Sequence, residues 1–173
     1  MLKSTGSRLQ NSVIHGNLIV CNLYKEAHKK MGKYDALKLE NQLCFPLYAC
    51  SKEIVRRYTP FLDEIGLTYT QYIVMLVMWE HEAISVKELG KYLYLDSGTL
   101  TPVLKKLEQK GYLTRARSTK DERVLDVTLT DSGLALREKA LSIPSQIGAC
   151  VNLQLEEAVQ LHGLLKKVLG SFE

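Results

Sequence analysis

Residues 84–129 run through two short capped helices and then two alternating strands around a charged turn, and this order restricts the fold more than any other feature of the chain. The first helix is announced by Ser85-Val86-Lys87-Glu88. Ser85 stands where a hydroxyl accepts a free first-turn N–H, Glu88 is placed to reach back to the cap, and Ile84 is placed to staple onto Leu89. After Leu95-Asp96-Ser97-Gly98 comes a second helical run, with Leu100, Leu104 and Leu107 on one face and Gly111 as its C-terminal stop. Its start is open. A cap at Thr101 puts Pro102 at the first helical position, where the missing N–H costs nothing, whereas a cap at Asp96 leaves Pro102 inside the helix. Residues 113–117 and 123–129 then alternate like strands, joined by Ser118-Thr119-Lys120-Asp121-Glu122 in a polar-tipped hairpin.

Longer helical patterns flank this unit. Leu39, Leu43, Leu47 and Ile54 recur at helical spacing over residues 38–57, with an interruption expected at Pro46 and an end before Pro60. Thr68-Tyr69-Thr70-Gln71 is another capping box. It heads Ile73, Val74, Leu76, Val77 and Trp79, a helix apolar enough that it must be buried. Helical patterning returns at about residues 132–141 and 156–169, with Pro144 marking a break between them. The expectation is a mainly α protein with a small β-hairpin wing, a winged helix-turn-helix over about residues 68–130. At 173 residues one domain is the default, assigned to residues 38–173, with 1–37 as an N-terminal extension of unassigned role.

Charge is concentrated where this pattern puts it. Residues 97–123 carry seven bases (Lys105, Lys106, Lys110, Arg115, Arg117, Lys120, Arg123) against three acids (Glu108, Asp121, Glu122), which equals the whole net charge of +4. A neutral body with one basic segment is the electrostatic footprint of a phosphate-binding surface. In a winged helix-turn-helix the second helix enters the major groove and the hairpin reaches the flanking backbone or minor groove. Thr99, Thr101 and Lys105 are then placed for base edges or phosphates, Lys106 and Lys110 for phosphates, and Arg115, Arg117, Lys120 and Arg123 for the flanks. Asp121 stands where its carboxylate can hold the Arg123 guanidinium in a fixed direction. A winged module that binds protein instead of DNA fits the same residues, and only DNA binding weakens steeply with salt.

Four cysteines, Cys21, Cys44, Cys50 and Cys150, are irregularly spaced, with no C-x-x-C pair and no His/Cys cluster suited to zinc. A reduced, cytoplasmic setting is expected, with no metal or cofactor. Residues 13–23 are mildly apolar but broken by His15, Gly16 and Asn17, so neither a signal peptide nor a membrane span is expected. Tyr48 lies four residues after Cys44 on the same helical face. Tyr58 lies about 40° away around a continuous helix but roughly 21 Å along it, so it approaches a Cys44 sulfur only across an antiparallel dimer. Phenolic hydroxyls there would hydrogen-bond a thiolate. By residue type alone, a cysteine on an apolar helical face is first an inert small hydrophobe, and Cys21 and Cys50 keep that reading.

Leu39-Glu40-Asn41-Gln42-Leu43-Cys44-Phe45, Leu67-Thr68-Tyr69-Thr70-Gln71-Tyr72, Leu93-Tyr94-Leu95-Asp96-Ser97-Gly98-Thr99-Leu100-Thr101-Pro102 and Asp121-Glu122-Arg123 closely resemble the organic hydroperoxide resistance regulators of the MarR family, over roughly residues 38–170. The resemblance implies a homodimeric repressor on double-stranded operator DNA with two half-sites. Its dimerisation helices would lie at about 38–58 and 132–170, and residues 96–110, with Asp96 and Ser97 at their head, would be the recognition element. It also implies Cys44 as the peroxidatic cysteine, Tyr48, Tyr58 and Tyr69 lining its site at the dimer interface, and Cys150 as a resolving cysteine of the two-cysteine type. An organic hydroperoxide would oxidise Cys44, a disulfide to Cys150 of the other subunit would follow, and DNA would be released. Two rivals share the residues: a ligand-responsive MarR regulator with incidental cysteines, and a thiol peroxidase. A regulator is expected here, not an enzyme.

Overall fold

A computed structural model of the protein describes residues 32–118 and 121–172. The chain divides between Lys52 and Glu53 into two compact units. In the first, two 3-10 turns, Asp35–Leu37 and Leu39–Asn41, precede helix α1 (Cys44–Glu64), which continues into the second. The helical spacing expected from residue 38 onward is thus realised as short turns before Cys44. Pro46 does not interrupt α1, because it occupies the first turn, where N–H groups have no helical partner in any case. Pro60 does not end it either. The helix runs four residues further and buries Leu62 at 1% exposure, a packing gain that outweighs one lost backbone hydrogen bond.

The second unit holds α2 (Tyr69–His81), β1 (Ala83–Ser85), α3 (Val86–Leu93), α4 (Ser97–Gln109), β2 (Leu113–Arg117), β3 (Leu125–Leu129), α5 (Asp131–Ala140), α6 (Ile143–Ala149) and α7 (Leu155–Leu169). Both expected capping boxes form, Thr68 with Gln71 at α2 and Ser85 with Glu88 at α3. The open question at α4 is settled in favour of Asp96. Its carboxylate accepts the Thr99 N–H and hydroxyl, both at 2.9 Å, and Pro102 lies inside the helix.

The strands form an antiparallel sheet in the order β1-β3-β2, with Ile84 and Arg115 flanking Val127 in register. The strand β1 was not foreseen as such; three residues before a capping box carry too little alternation to reveal it. Leu89, Leu100, Leu104, Leu107, Leu113 and Val127 are all buried with the α2 residues Val74, Met75 and Met78, so helices and wing share one core. Not all of α2 is closed off: Ile73 and Trp79 are partly buried and Leu76 is exposed. Helix α5 crosses close to this core: the Trp79 indole donates to the Gly133 carbonyl at 2.8 Å, and a side chain at Gly133 would collide with the Tyr112 carbonyl. Pro144 sits at the second position of α6, a short helix that the break in patterning did not foretell. The apolar residues of α7 stay open to solvent in the single chain.

Candidate functional site

Capping and packing orient α4. Its Leu100, Leu104 and Leu107 turn into the core, which leaves Ser97, Thr99, Thr101, Lys105 and Lys106 exposed on the outer face. Three of the polar groups expected at DNA, Asp96, Thr99 and Thr101, are already engaged at the head of the helix, the Thr99 hydroxyl donating to Asp96. The Asp96 carboxyl is held below the usual carboxylate range, chiefly by the Thr99 N–H, and the Thr101 hydroxyl donates to the Ser97 carbonyl at 2.6 Å. Lys110, assigned to phosphate by its sequence position, instead donates to the Gly66 carbonyl and, at 3.1 Å, to Gln71 Oε1.

In the wing, Arg115 is folded inward. Glu108 accepts its backbone N–H at 3.1 Å, its Nε at 3.1 Å and its Nη2 at 2.6 Å, and the Arg115 side chain is 17% exposed. Arg117 is exposed and donates to the Glu122 carbonyl at 2.7 Å, bracing the hairpin. The expected grip of Asp121 on the Arg123 guanidinium is replaced by a backbone interaction: Asp121 Oδ1 accepts the Arg123 N–H at 3.0 Å. A carboxylate two residues before an N–H closes an Asx turn more readily than it reaches a long side chain. Arg123 itself stays exposed, and Lys120 lies outside the described residues.

A cleft of about 860 Å³ runs between α3, the head of α4 and the wing, lined among others by Lys87, Lys91, Ser97, Thr101 and Arg123. Lys87 and Lys91 were missed in the sequence. Their signal was present, since two cations four apart on a helix share one face, but the segment 97–123 drew the whole net charge.

The cysteines are all exposed free thiols among the described residues: Cys44, Cys50 and Cys150. Cys44 opens α1, with Tyr48 one turn on and 65% exposed. Cys150 closes α6, its thiol donating to the Gln146 carbonyl at 3.4 Å, and Cys21 lies outside the described residues. In the second unit Tyr58 meets Tyr69 edge-on at 5.0 Å between ring centroids and Tyr72 at 5.7 Å. Burial raises the phenols of Tyr58, Tyr69 and Tyr72 above their usual value of 10.0, so all three stay neutral hydrogen-bond donors. Tyr72 had not been marked for this role. Among the described residues there is no His/Cys/Asp/Glu cluster able to hold a metal, and no helix is long and apolar enough to cross a membrane.

Comparison with known proteins gives this arrangement its context. A family model described as transcriptional regulator SarA/Rot matches residues 56–139. The chain is 50% identical over 137 residues to the organic hydroperoxide resistance transcriptional regulator of Bacillus subtilis, a match covering 79% of this chain and 93% of that one. Among solved structures it resembles reduced AbfR bound to DNA (TM-score 0.68, 34% identity, 82% of this chain and 96% of that one) and overoxidized AbfR bound to DNA (TM-score 0.66, 35% identity, 82% and 100%). The reduced form of MarR from E. coli matches at TM-score 0.62 and 30% identity, over 74% of this chain and 96% of that one. With half of the 137 aligned residues identical across nearly the full length of the Bacillus relative, a winged helix and a basic face, the chain belongs to the MarR family of DNA-binding transcriptional regulators, in the organic hydroperoxide resistance branch.

Proposed function

We propose that this protein is a homodimeric repressor that organic hydroperoxides release from operator DNA through oxidation of Cys44. The observation that carries the reading is the placement of Cys44, an exposed free thiol at the first position of α1, open to a peroxide from solvent. The open apolar side chains of α1 and α7 fit burial against a second copy, which would bring one subunit's neutral Tyr58 and Tyr69 phenols to the other's sulfur. That the Bacillus relative is named for organic hydroperoxide resistance, and that AbfR is solved on DNA both reduced and overoxidized, supports the same chemistry.

In this scheme the Cys44 thiolate attacks a peroxide oxygen, the O–O bond breaks, the alcohol leaves after protonation, and a sulfenic acid remains. The thiol of Cys150 of the partner subunit then displaces water to form a disulfide. Strain at the interface shifts the two α4 helices away from half-sites about 34 Å apart. Ser97, Thr99, Thr101, Lys105, Lys106, Arg117 and Arg123 form the DNA face, with Asp96 as the cap that presents it.

A second reading has its own observation. A cavity of about 320 Å³ is lined by Tyr72, Leu76, Trp79, Glu80, Arg137 and Leu141, a mostly apolar site with one acid and one base that suits a small aromatic ligand. A gel-shift titration of the reduced protein on its own promoter region, before and after organic hydroperoxide, separates the two. Peroxide releases wild type but not Cys44→Ser if the cysteine senses, and Cys150→Ser reports whether a disulfide is required. Release of Cys44→Ser by peroxide sinks the cysteine reading, and release of that variant by a small aromatic ligand favours the cavity.

A further inference from the structure

We propose that Lys110 and Glu108 fix the docking angle of α4 on DNA from within the protein, and that neither Lys110 nor Arg115 touches phosphate. The Asp96 cap holds the head of α4, and its tail is held by two side chains. Lys110 donates to the Gly66 carbonyl and to Gln71 Oε1. Gln71 is 3% exposed, and the same oxygen accepts the Thr68 N–H at 3.1 Å, so one amide oxygen joins the α1–α2 turn, the α2 cap and the end of α4. The turn it grips is set by Gly66 at φ 67°, which points that carbonyl where an L side chain would resist.

On the other flank Glu108 takes the Arg115 guanidinium and backbone N–H together, tying α4 to the base of β2. Residues two apart on a helix point about 200° apart, so the two tethers pull in opposed directions and fix rotation of α4 about its axis as well as its tilt. A helix read by the edges of its side chains needs that rotation fixed, since hydrogen bonds to bases depend on angle more than those to phosphates do. The seven cations of residues 97–123 therefore divide. Lys105, Lys106, Arg117 and Arg123 are exposed on the outer face, Lys120 lies outside the described residues, and Lys110 and Arg115 are engaged by acceptors of the protein itself.

The inference rests on the dimeric operator-binding part of the proposed function and is indifferent to the peroxide chemistry. It is tested with full-length reduced protein on its footprinted operator, across a salt series, using Lys110→Met, Lys110→Arg, Glu108→Gln, Arg115→Met and Lys105→Met. Lys110→Met should bind about tenfold more weakly, the scale of removing one hydrogen bond to a charged group. It should keep the wild-type slope of log K against log salt, and accept operators whose half-site spacing is changed by one base pair. Lys105→Met should instead flatten the slope by about 1 for each phosphate that the lysine no longer neutralises. Lys110→Arg restores spacing discrimination, and Glu108→Gln relaxes it without touching the slope. Glu108→Gln and Arg115→Met should be no worse combined than singly, as members of one pair. A flattened slope in Lys110→Met, or unchanged affinity and spacing discrimination in both Lys110→Met and Glu108→Gln, overturns the inference. Wild type that fails to bind operator DNA overturns instead the reading on which it rests.

Discussion

Helices α2 and α7 are both rich in apolar residues, yet they meet opposite fates. In α2, Val74, Met75 and Met78 are fully buried, enclosed by α3, α4, α5 and the sheet. In α7, Leu155 is 75% exposed, Val159 64% and Leu164 62%. Hydrophobic content therefore does not decide burial; a partner surface does. The winged helix finds its partners within the chain and closes a core. Helix α7 carries an apolar face with no surface among the described residues to cover it, the kind of face the proposed dimer would bury.

The contrast is broken most strongly from the closed side. Leu104→Ala removes a side chain that is 1% exposed, and we expect a loss of about 2–5 kcal/mol in denaturant unfolding. A loss below about 1 kcal/mol would mean that the core is not the closed unit described. From the open side, Leu164→Lys should leave helix content unchanged but weaken self-association by about 2 kcal/mol, seen as monomer in sedimentation and as failure to hold operator DNA. A dimer of undiminished stability would place the interface elsewhere.

A finer test concerns how α2 is started. Thr68→Ala removes the hydroxyl that accepts the Gln71 N–H, and about 1 kcal/mol of stability should go with it. Smallest is a pH effect on the clamp at the end of α4. Hydrogen bonding from Arg115 holds the Glu108 carboxyl below its usual value of 4.5. The folded value lies below the unfolded one, so the stabilisation is present above the usual carboxylate range and is lost as pH falls through the folded value. Melting temperatures of wild type and Glu108→Gln should differ at neutral pH and converge in acid; parallel curves would show that the pair contributes nothing.

Much of this was legible residue by residue. Ser85 with Glu88 and Thr68 with Gln71 mark helix starts by local chemistry, and local chemistry survives folding. The leucines of α4, the alternation of β2 and β3 and the stop at Gly111 belong to the same class. Cys44 and its tyrosines could be pointed to by resemblance, and the exposed thiol and the clustered phenols of Tyr58, Tyr69 and Tyr72 are what the structure adds to that expectation. Much of what escaped depends on a competition that the local pattern does not show. Pro60 looked like an end because the gain from burying Leu62 is not written beside it. Arg115 and Lys110 looked like phosphate ligands because the acceptors that claim them, Glu108, Gly66 and Gln71, lie 7, 44 and 39 residues away. Asp121 took the nearer of two donors on Arg123.

The sequence by itself determined the capped helix starts at Thr68 and Ser85, which faces are apolar and where the positive charge is concentrated, because capping, periodicity and charge are properties of neighbours along the chain. Only the tertiary structure decided which cations remain free for DNA, how the end of α4 is held and which apolar faces are left open, because each of these is a competition among groups that the fold alone brings together.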